Sequence, residues 1–268
     1  MQRSLFLSAL LVAAMSAGPA VAGMKAEPLE WKVGEDSFSG WLVYDDSGDD
    51  RRPGLVMVPN WMGVTDDALE RARAIAGDDY VVLVADVYGK GRQPRDSGEA
   101  GKLAGSLRGE DRGPLRARMH AALETLKAQA GRAPLDAERI GAFGFCFGGS
   151  AVLELARSGA DVAGVVSLHG GLAPGEQSKT AERIAAPVLV LNGADDKAVD
   201  DAQVKAFEEE MDAAAADWQF VDFSGAVHCF AEPSAGSDPA SNCRYDERAA
   251  KRGYRMMDGF FDEVFGAD

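Results

Sequence analysis

Cysteine and histidine are scarce in this chain. Its 268 residues include three cysteines and three histidines. It also lacks a cluster of lysine and arginine, and its formal net charge is −15. A surface that binds nucleic acid needs a stripe of positive charge to neutralise phosphates. Nucleic acid is therefore not an expected partner. The acidic residues lie in short runs such as 208–210, which is typical of a solvated surface.

The sequence also lacks an apolar run long enough to span a bilayer. Its N-terminus has Arg3, a short apolar segment over residues 5–15, and then Ala20-Val21-Ala22. A charged start, a short apolar segment and an A-x-A site are the pattern of a secretory signal peptide. We therefore expect residues 1–22 to be removed and the mature chain to be exported, periplasmic or secreted, without membrane association. No cysteine lies near the cleavage site, so a lipid anchor is not expected.

The remainder has no internal repeat and no linker rich in proline or serine, so residues 23–268 are predicted to form one domain and a monomer. An alternating apolar and polar pattern predicts an antiparallel hairpin of residues 29–33 and 37–44. Short apolar runs then alternate with helical patterns, which predicts an α/β fold with a mostly parallel sheet. The predicted strands are 54–58, 80–87, 140–145, 162–168, 187–191 and 218–223, and the predicted helices are 66–76, 112–130, 149–158, 201–215 and 245–264.

The sequence Gly144-Phe145-Cys146-Phe147-Gly148 lies between a predicted strand and a predicted helix. A free cysteine is commonly a small buried hydrophobe. Here, however, the pattern matches the G-x-S-x-G nucleophile elbow with cysteine in place of serine. The glycines let neighbouring backbone pass close to a sharp turn, and the helix N-terminus favours a thiolate. We therefore predict that Cys146 is a nucleophile.

A catalytic acid and a histidine should follow this nucleophile in that order. Asp196 lies three residues after Gly193, which follows a predicted strand, and is the predicted acid, with Asp195 as the alternative. His228 follows the predicted strand 218–223 and is the predicted base. Acyl transfer also needs two backbone N–H groups for the oxyanion. Those of Phe147, after the nucleophile, and Trp61, after an early strand, are the candidates.

The other two histidines have different expected roles. His120 lies within a predicted amphipathic helix and is expected to be a surface or packing residue. His169 ends a predicted strand and is expected to line the substrate pocket. Tyr88 and Trp61 are candidates for the same lining, although core packing would explain either aromatic residue.

Several stretches resemble the dienelactone hydrolase family of the α/β-hydrolase superfamily: "GFCFGG", "GADDKAV", "VHCF", "ADVYGKG" and "YDERAAKRGYRMMDGFFDEVF". The resemblance extends from about Gly54 to Phe265. It implies an α/β-hydrolase fold and hydrolysis of a small ester or lactone, without a cofactor or metal. The implied mechanism uses a triad of Cys146, His228 and Asp196 and a thioester acyl-enzyme.

The chain departs from this family at three positions in the expected substrate pocket. Asn60 stands where the family has a glutamate that helps to activate the thiol, and an amide cannot take a proton. Glu232 and Lys90 stand where the family has arginines. The loss of one cation and the gain of a carboxylate should disfavour an anionic dienelactone. We therefore expect the reaction class to be retained and the substrate to differ.

Three alternatives remain open at this point. The chain could be a non-catalytic exported binding protein on a hydrolase scaffold, because a fold does not imply a function. Cys229 and Cys243 are predicted to form a disulfide, as an exported protein allows, and the alternative is two unpaired thiols. His228, Cys229 and Cys243 could also belong to a zinc site, but zinc needs about four ligands and no further pair lies near.

Overall fold

The structure, a computed structural model, describes residues 23–48 and 50–266. The predicted signal peptide, residues 1–22, lies outside the described residues. Eight strands form one sheet: β1 (Met24–Val33), β2 (Asp36–Asp45), β3 (Arg52–Val58), β4 (Val81–Ala85), β5 (Leu135–Phe145), β6 (Val165–Leu168), β7 (Val188–Gly193) and β8 (Trp218–Phe223). Six helices accompany them: α1 (Asp66–Ala76), α2 (Ser97–Leu107), α3 (Gly113–Lys127), α4 (Phe147–Arg157), α5 (Asp201–Ala213) and α6 (Glu247–Phe265).

The strand order in the sheet is β1-β2-β4-β3-β5-β6-β7-β8. The β1–β2 hairpin is antiparallel and joins β4 in the antiparallel sense, whereas β4, β3, β5, β6, β7 and β8 are parallel to one another. The predicted α/β class with a mostly parallel sheet and an antiparallel edge hairpin is confirmed. Helix α2 was not predicted from the sequence, and β5 begins at Leu135, earlier than the predicted start at Ile140.

The sheet is buried on both faces. In β3, Val56 and Val58 belong to one apolar cluster, while Leu55 and Met57 belong to the other, as the alternation of a strand requires. The first cluster includes side chains of α2, α3, α4 and α5, and the second includes side chains of α1 and α6. This two-sided burial explains why the parallel strands are nearly continuous apolar runs.

The parallel strands direct the loops that follow them to one edge of the sheet. Asn60 and Trp61 follow β3, Cys146 follows β5, His169 follows β6, Asp196 follows β7, and His228 follows β8. The carboxyl ends of the strands are where such sheets place ligand sites. Among the described residues, no helix is both long enough and apolar enough to cross a bilayer.

Candidate active site

The turn at Cys146 connects β5 directly to α4 in a conformation that L-residues rarely adopt, with φ 53° and ψ −112°. Glycine is required on both sides of it. A Cβ at Gly144 would lie 2.3 Å from the backbone of Gly148, and a Cβ at Gly148 would lie 2.0 Å from the carbonyl oxygen of Val58. The close approach of these backbones holds a strained residue at the sheet edge, the geometry of a nucleophile elbow.

The three predicted triad residues lie in contact. Sγ of Cys146 is 3.0 Å from Nε2 of His228. Nδ1 of His228 is 2.7 Å from Oδ2 of Asp196. Asp196 is buried, at 3% exposure, whereas the alternative acid, Asp195, is exposed and its backbone N–H donates to Ala226.

The electrostatics of this chain favour a charged histidine. Burial alone disfavours the imidazolium, but the hydrogen bonds with Asp196 and Cys146 outweigh burial and raise the pKa of His228 to about 10. Burial opposes ionisation of Asp196 as well. The hydrogen bond and charge of His228 overcome that effect, with help from the N–H of Ala198, and lower the pKa of Asp196.

Asn242 also holds Asp196, and sequence reasoning missed it. Its Nδ2 donates to Oδ1 of Asp196 at 3.0 Å, and its Oδ1 accepts from the backbone N–H of Lys197 at 3.1 Å. The only signal in the sequence was its position next to Cys243. The sulfurs of Cys229 and Cys243 are joined in a disulfide, so they are not the thiolates that the zinc alternative would need.

The two predicted oxyanion donors belong to Phe147, which follows Cys146 in the chain, and to Trp61, which lines the same cavity as Cys146. Phe147 is the first residue of α4, so its N–H has no acceptor within the helix. Trp61 lies in a turn closed by the N–H of Gly63, which donates to the carbonyl of Asn60 at 2.9 Å. The hydroxyl of Tyr88 donates to the carbonyl of Trp61 at 2.8 Å and holds this turn from below.

A cavity of about 350 Å³ opens beside the nucleophile, and we call it the Cys146 cavity. Its lining residues are Asn60, Trp61, Met62, Thr65, Asp67, Cys146, Cys229, Glu232, Ser234, Ala235 and Cys243. A larger cavity, about 700 Å³, lies between α1 and α6 and includes no triad residue. The chemistry therefore identifies the smaller cavity as the candidate substrate site.

Of the predicted pocket residues, Asn60, Trp61 and Glu232 line the Cys146 cavity, whereas Tyr88, His169 and Lys90 do not. Tyr88 is buried below it, and its ring stacks on that of Phe147 with centroids 5.5 Å apart. His169 is fully buried and accepts the backbone N–H of Cys146 at Nδ1, at 3.1 Å. Lys90 is exposed and its Nζ lies 2.6 Å from Glu30. These three positions correct the sequence prediction, because a residue that follows a strand can support a site from beneath as well as line it.

Glu232 lines the cavity, but its carboxylate is paired with neighbouring side chains. Its side chain is buried, and its Oε2 lies 3.1 Å from Nη1 of Arg71 and 2.5 Å from Nδ2 of Asn60. Burial raises the pKa of Glu232, while Arg71 and Asn60 act in the opposite direction. The remaining histidine, His120, has its Nε2 2.9 Å from Oγ of Ser158, away from the cavity.

The model of the dienelactone hydrolase family matches residues 38–265, which is most of the chain. The chain belongs to the dienelactone hydrolase family. This dienelactone hydrolase-family protein has the α/β-hydrolase fold and is a hydrolase of carboxylic esters or lactones.

Solved structures of family members are similar to it. A dienelactone hydrolase named m3DLH is 38% identical, with a TM-score of 0.83, over 91% of this chain and 99% of its own. P91, a dienelactone hydrolase-like promiscuous phosphotriesterase from metagenomic libraries, is 35% identical, with a TM-score of 0.81, over 90% of this chain and 99% of its own. An uncharacterized protein of Caenorhabditis elegans, K02A2.1, is 36% identical over 57% of this chain and 96% of its own.

Proposed function

We propose that the protein hydrolyses a small neutral ester or lactone through a triad of Cys146, His228 and Asp196 and a thioester intermediate. One observation carries this proposal: an unbroken series of contacts joins Sγ of Cys146 to His228 at 3.0 Å and His228 to Asp196 at 2.7 Å. A nucleophile, a base and a group that orients the base need this mutual geometry.

In the proposed reaction, the Cys146 thiolate attacks the carbonyl carbon while the N–H groups of Trp61 and Phe147 stabilise the oxyanion. The tetrahedral intermediate then expels the alcohol oxygen, which takes a proton from His228, and a thioester remains on Cys146. A water molecule attacks the thioester and gives a proton to His228. Departure of the carboxylic acid restores the thiolate and imidazolium pair.

The charges around the Cys146 cavity support a neutral substrate. The carboxylates of Asp67 and Glu232 line the cavity, and Arg71 contacts both, at 2.7 and 3.1 Å. Its guanidinium is therefore already paired and is not available to an anionic substrate. Asp67 adds negative charge near the opening, which also disfavours anions.

The first test is a panel of neutral aryl esters, neutral lactones and an anionic dienelactone, with a neutral phosphotriester included because of the relative P91. We expect turnover of neutral esters or lactones, abolished by a thiol-alkylating reagent. A non-catalytic binding protein would bind without turning over any of these compounds, and that result would refute the proposal.

The second test assigns the activity to the triad. Cys146→Ala should lower kcat by about a thousandfold or more, because attack falls back on water. Asp196→Asn should lower kcat by about a hundredfold or more, since an amide does not fix the imidazole in the required tautomer. Asp195→Asn is the matched control, as its exposed side chain adjoins the acid without contacting His228, and it should retain wild-type kcat. Equal losses in the two aspartate variants would contradict the assignment of the acid.

We also propose that the protein is exported and loses residues 1–22. The pattern of Arg3, the apolar segment 5–15 and the A-x-A site at Ala20 to Ala22 supports this proposal. The pair of Cys229 and Cys243 is compatible with an oxidising compartment.

A further inference from the structure

Glu232 lies at the centre of a buried polar network that the proposed reaction does not use. It is four residues beyond the catalytic histidine, and its backbone N–H donates to Cys229 at 2.9 Å. Its carboxylate is only 1% exposed. A buried carboxylate is costly unless charged and hydrogen-bonding partners surround it. The two oxygens of this carboxylate face different partners: Oε2 faces Asn60 and Arg71, and Oε1 faces His169.

On one side, Oε2 of Glu232 determines the orientation of Asn60. The Asn60 amide donates from Nδ2 to Glu232 at 2.5 Å, and its Oδ1 accepts the backbone N–H of Met62 at 2.9 Å. Only this orientation of the amide satisfies both contacts. Trp61, whose N–H is a proposed oxyanion donor, lies between Asn60 and Met62, the two residues joined by the second contact. Glu232 therefore constrains the turn that presents the donor.

On the other side, Oε1 of Glu232 faces His169. The N–H of Cys146 is shared between the carbonyl of Leu168 at 3.0 Å and Nδ1 of His169 at 3.1 Å, and Nδ1 can accept it only when the His169 proton lies on Nε2. Nε2 is 3.8 Å from Oε1 of Glu232. This distance exceeds that of a hydrogen bond, but both atoms are buried and neither has a hydrogen-bond partner elsewhere in the described chain. The carboxylate oxygen thus favours the tautomer that supports the backbone of the nucleophile.

The state of His169 agrees with this geometry. Burial, with the nearby charges of His228 and Arg71, lowers the pKa of His169 well below its usual range. The ring is therefore neutral at pH 7, and its single proton can occupy only one nitrogen. A neutral imidazole can accept from Cys146 at Nδ1, whereas an imidazolium could not.

We propose that Glu232 is a positioning residue that holds the two sides of the oxyanion hole in register, through Asn60 on the Trp61 turn and through His169 on the Cys146 turn. This inference rests on the proposed hydrolase function, because it assigns Glu232 a role in presenting the two donors. It requires no contact between Glu232 and the substrate.

Glu232→Gln tests this proposal because it preserves size and removes one acceptor. Asn60 and Arg71 both donate to Oε2, so the amide oxygen of the glutamine must face them. The new NH₂ group then faces the N–H of His169, and two donors oppose each other. Moving the His169 proton to Nδ1 relieves the conflict, but the N–H of Cys146 then faces a donor at Nδ1 and keeps only its second acceptor, the carbonyl of Leu168 at 3.0 Å.

We expect Glu232→Gln to lower kcat by about 10- to 100-fold, the usual effect of misplacing catalytic groups, with KM changed by less than about threefold. NMR of the histidine side-chain nitrogens should show His169 protonated on Nε2 in the wild type and on Nδ1 in the variant. The chain has three histidines, so His120→Gln and His228→Gln variants assign the signals.

Glu154→Gln is the matched control. Glu154 is another buried glutamate paired with arginines, remote from the oxyanion hole, and its loss should leave kcat and the His169 tautomer unchanged in the folded protein.

Asn60→Ala provides a second variant that keeps the pairing of Glu232 with Arg71, in case Glu232→Gln does not fold. It should also lower kcat more than it raises KM, and leave the His169 tautomer as in the wild type. Wild-type kcat in either variant would overturn the proposal, and so would a His169 proton on Nδ1 in the wild type. The NMR measurement needs no substrate. It therefore separates failure of this inference from failure of the proposed hydrolase function, which would appear as full activity in Cys146→Ala.

Discussion

The protonation of Cys146 and His228 is the residue-scale property on which the proposed mechanism depends. The family resemblance implies a glutamate at the position of Asn60, but the Asn60 amide contacts Glu232 and cannot accept a proton. The thiol proton must therefore go to His228. The pKa of His228, raised to about 10, means that the imidazolium persists at neutral pH.

The first prediction is that Cys146 is alkylated rapidly at pH 6 and that this reactivity depends on His228. Iodoacetamide should label Cys146 readily at pH 6, because a neighbouring imidazolium and a helix N-terminus both stabilise a thiolate. His228→Ala should slow this labelling by about tenfold or more at pH 6. The measurement is the labelling rate against pH, followed by mass spectrometry of the peptide that contains Cys146. Labelling that rises only above about pH 8 in both proteins would exclude the ion pair.

The sequence predicted which residues belong to the site better than it predicted how deeply each side chain is buried. The elbow glycines and the distance from Gly193 to Asp196 are local patterns, so they led to Cys146 and Asp196. His169 and Tyr88 also follow strands, and no local pattern distinguishes a side chain that lines a cavity from one that supports it from below. That difference depends on how neighbouring loops pack, as does the pairing of Glu232 with Asn60, 172 positions apart.

The elements followed the apolar pattern of the sequence with one exception. Helix α2 contains glycine at positions 98, 101 and 105, and glycine weakens a helix by about 1 kcal/mol per residue relative to alanine. Tertiary contacts overcome that cost: Asp96 caps the N-terminus, and Ala100, Ala104 and Leu107 are buried along one face. The spacing of those three residues was present in the sequence, but the glycines concealed it.

The segment that carries His228, the proposed catalytic base, has no regular structure of its own and depends on a neighbouring segment. The disulfide between Cys229 and Cys243 joins the two. Beside it, the N–H of Arg244 donates to the carbonyl of His228 at 3.1 Å, and Asn242 holds Asp196 at 3.0 Å. The base and the acid are therefore both fixed by residues 242–244.

The second prediction concerns this disulfide. Reduction, or the double change Cys229→Ser with Cys243→Ser, should lower the free energy of unfolding by about 3 kcal/mol, the value for a loop of about fifteen residues. It should also lower kcat, because His228 adjoins Cys229. Denaturant unfolding curves and kcat measure the two effects. Thiol counting in denaturant should find one free thiol, that of Cys146, and a count of three would show that the bridge is absent from the natural protein.

At the scale of the whole molecule, the formal charge of −15 distinguishes the protein from one that collects anionic substrates. A strongly negative molecule repels anions over distances of about a Debye length and remains dispersed in solution. This long-range repulsion disfavours anionic substrates, as does the pairing of Arg71 with the carboxylates of Asp67 and Glu232 at the cavity. Both favour a neutral substrate.

The N-terminal strand adds a structural argument for cleavage after Ala22. β1 begins at Met24, and the backbone nitrogen of Gly23 lies 2.6 Å from Oδ1 of Asp46. Cleavage would turn that nitrogen into a charged α-amino group, and the contact with Asp46 would become an ion pair. β1 would then begin next to the new N-terminus, and the carboxylate of Asp46 would neutralise the charge of the α-amino group.

The last prediction is that the mature protein begins at Gly23 and is found outside the cytoplasm. Intact-mass spectrometry of the protein from its native host should give the mass of residues 23–268, and cell fractionation should find it in the exported fraction. Replacing Ala20 and Ala22 with bulky residues should block processing and accumulate the precursor, because the cleavage site requires small side chains. Asp46→Asn is a matched control that leaves residues 1–22 unchanged: processing should proceed normally, while loss of the ion pair with the new α-amino group should lower stability only slightly, because ion pairs at the surface contribute little. A cytoplasmic product that retains Met1 would refute both the signal peptide and the proposed export.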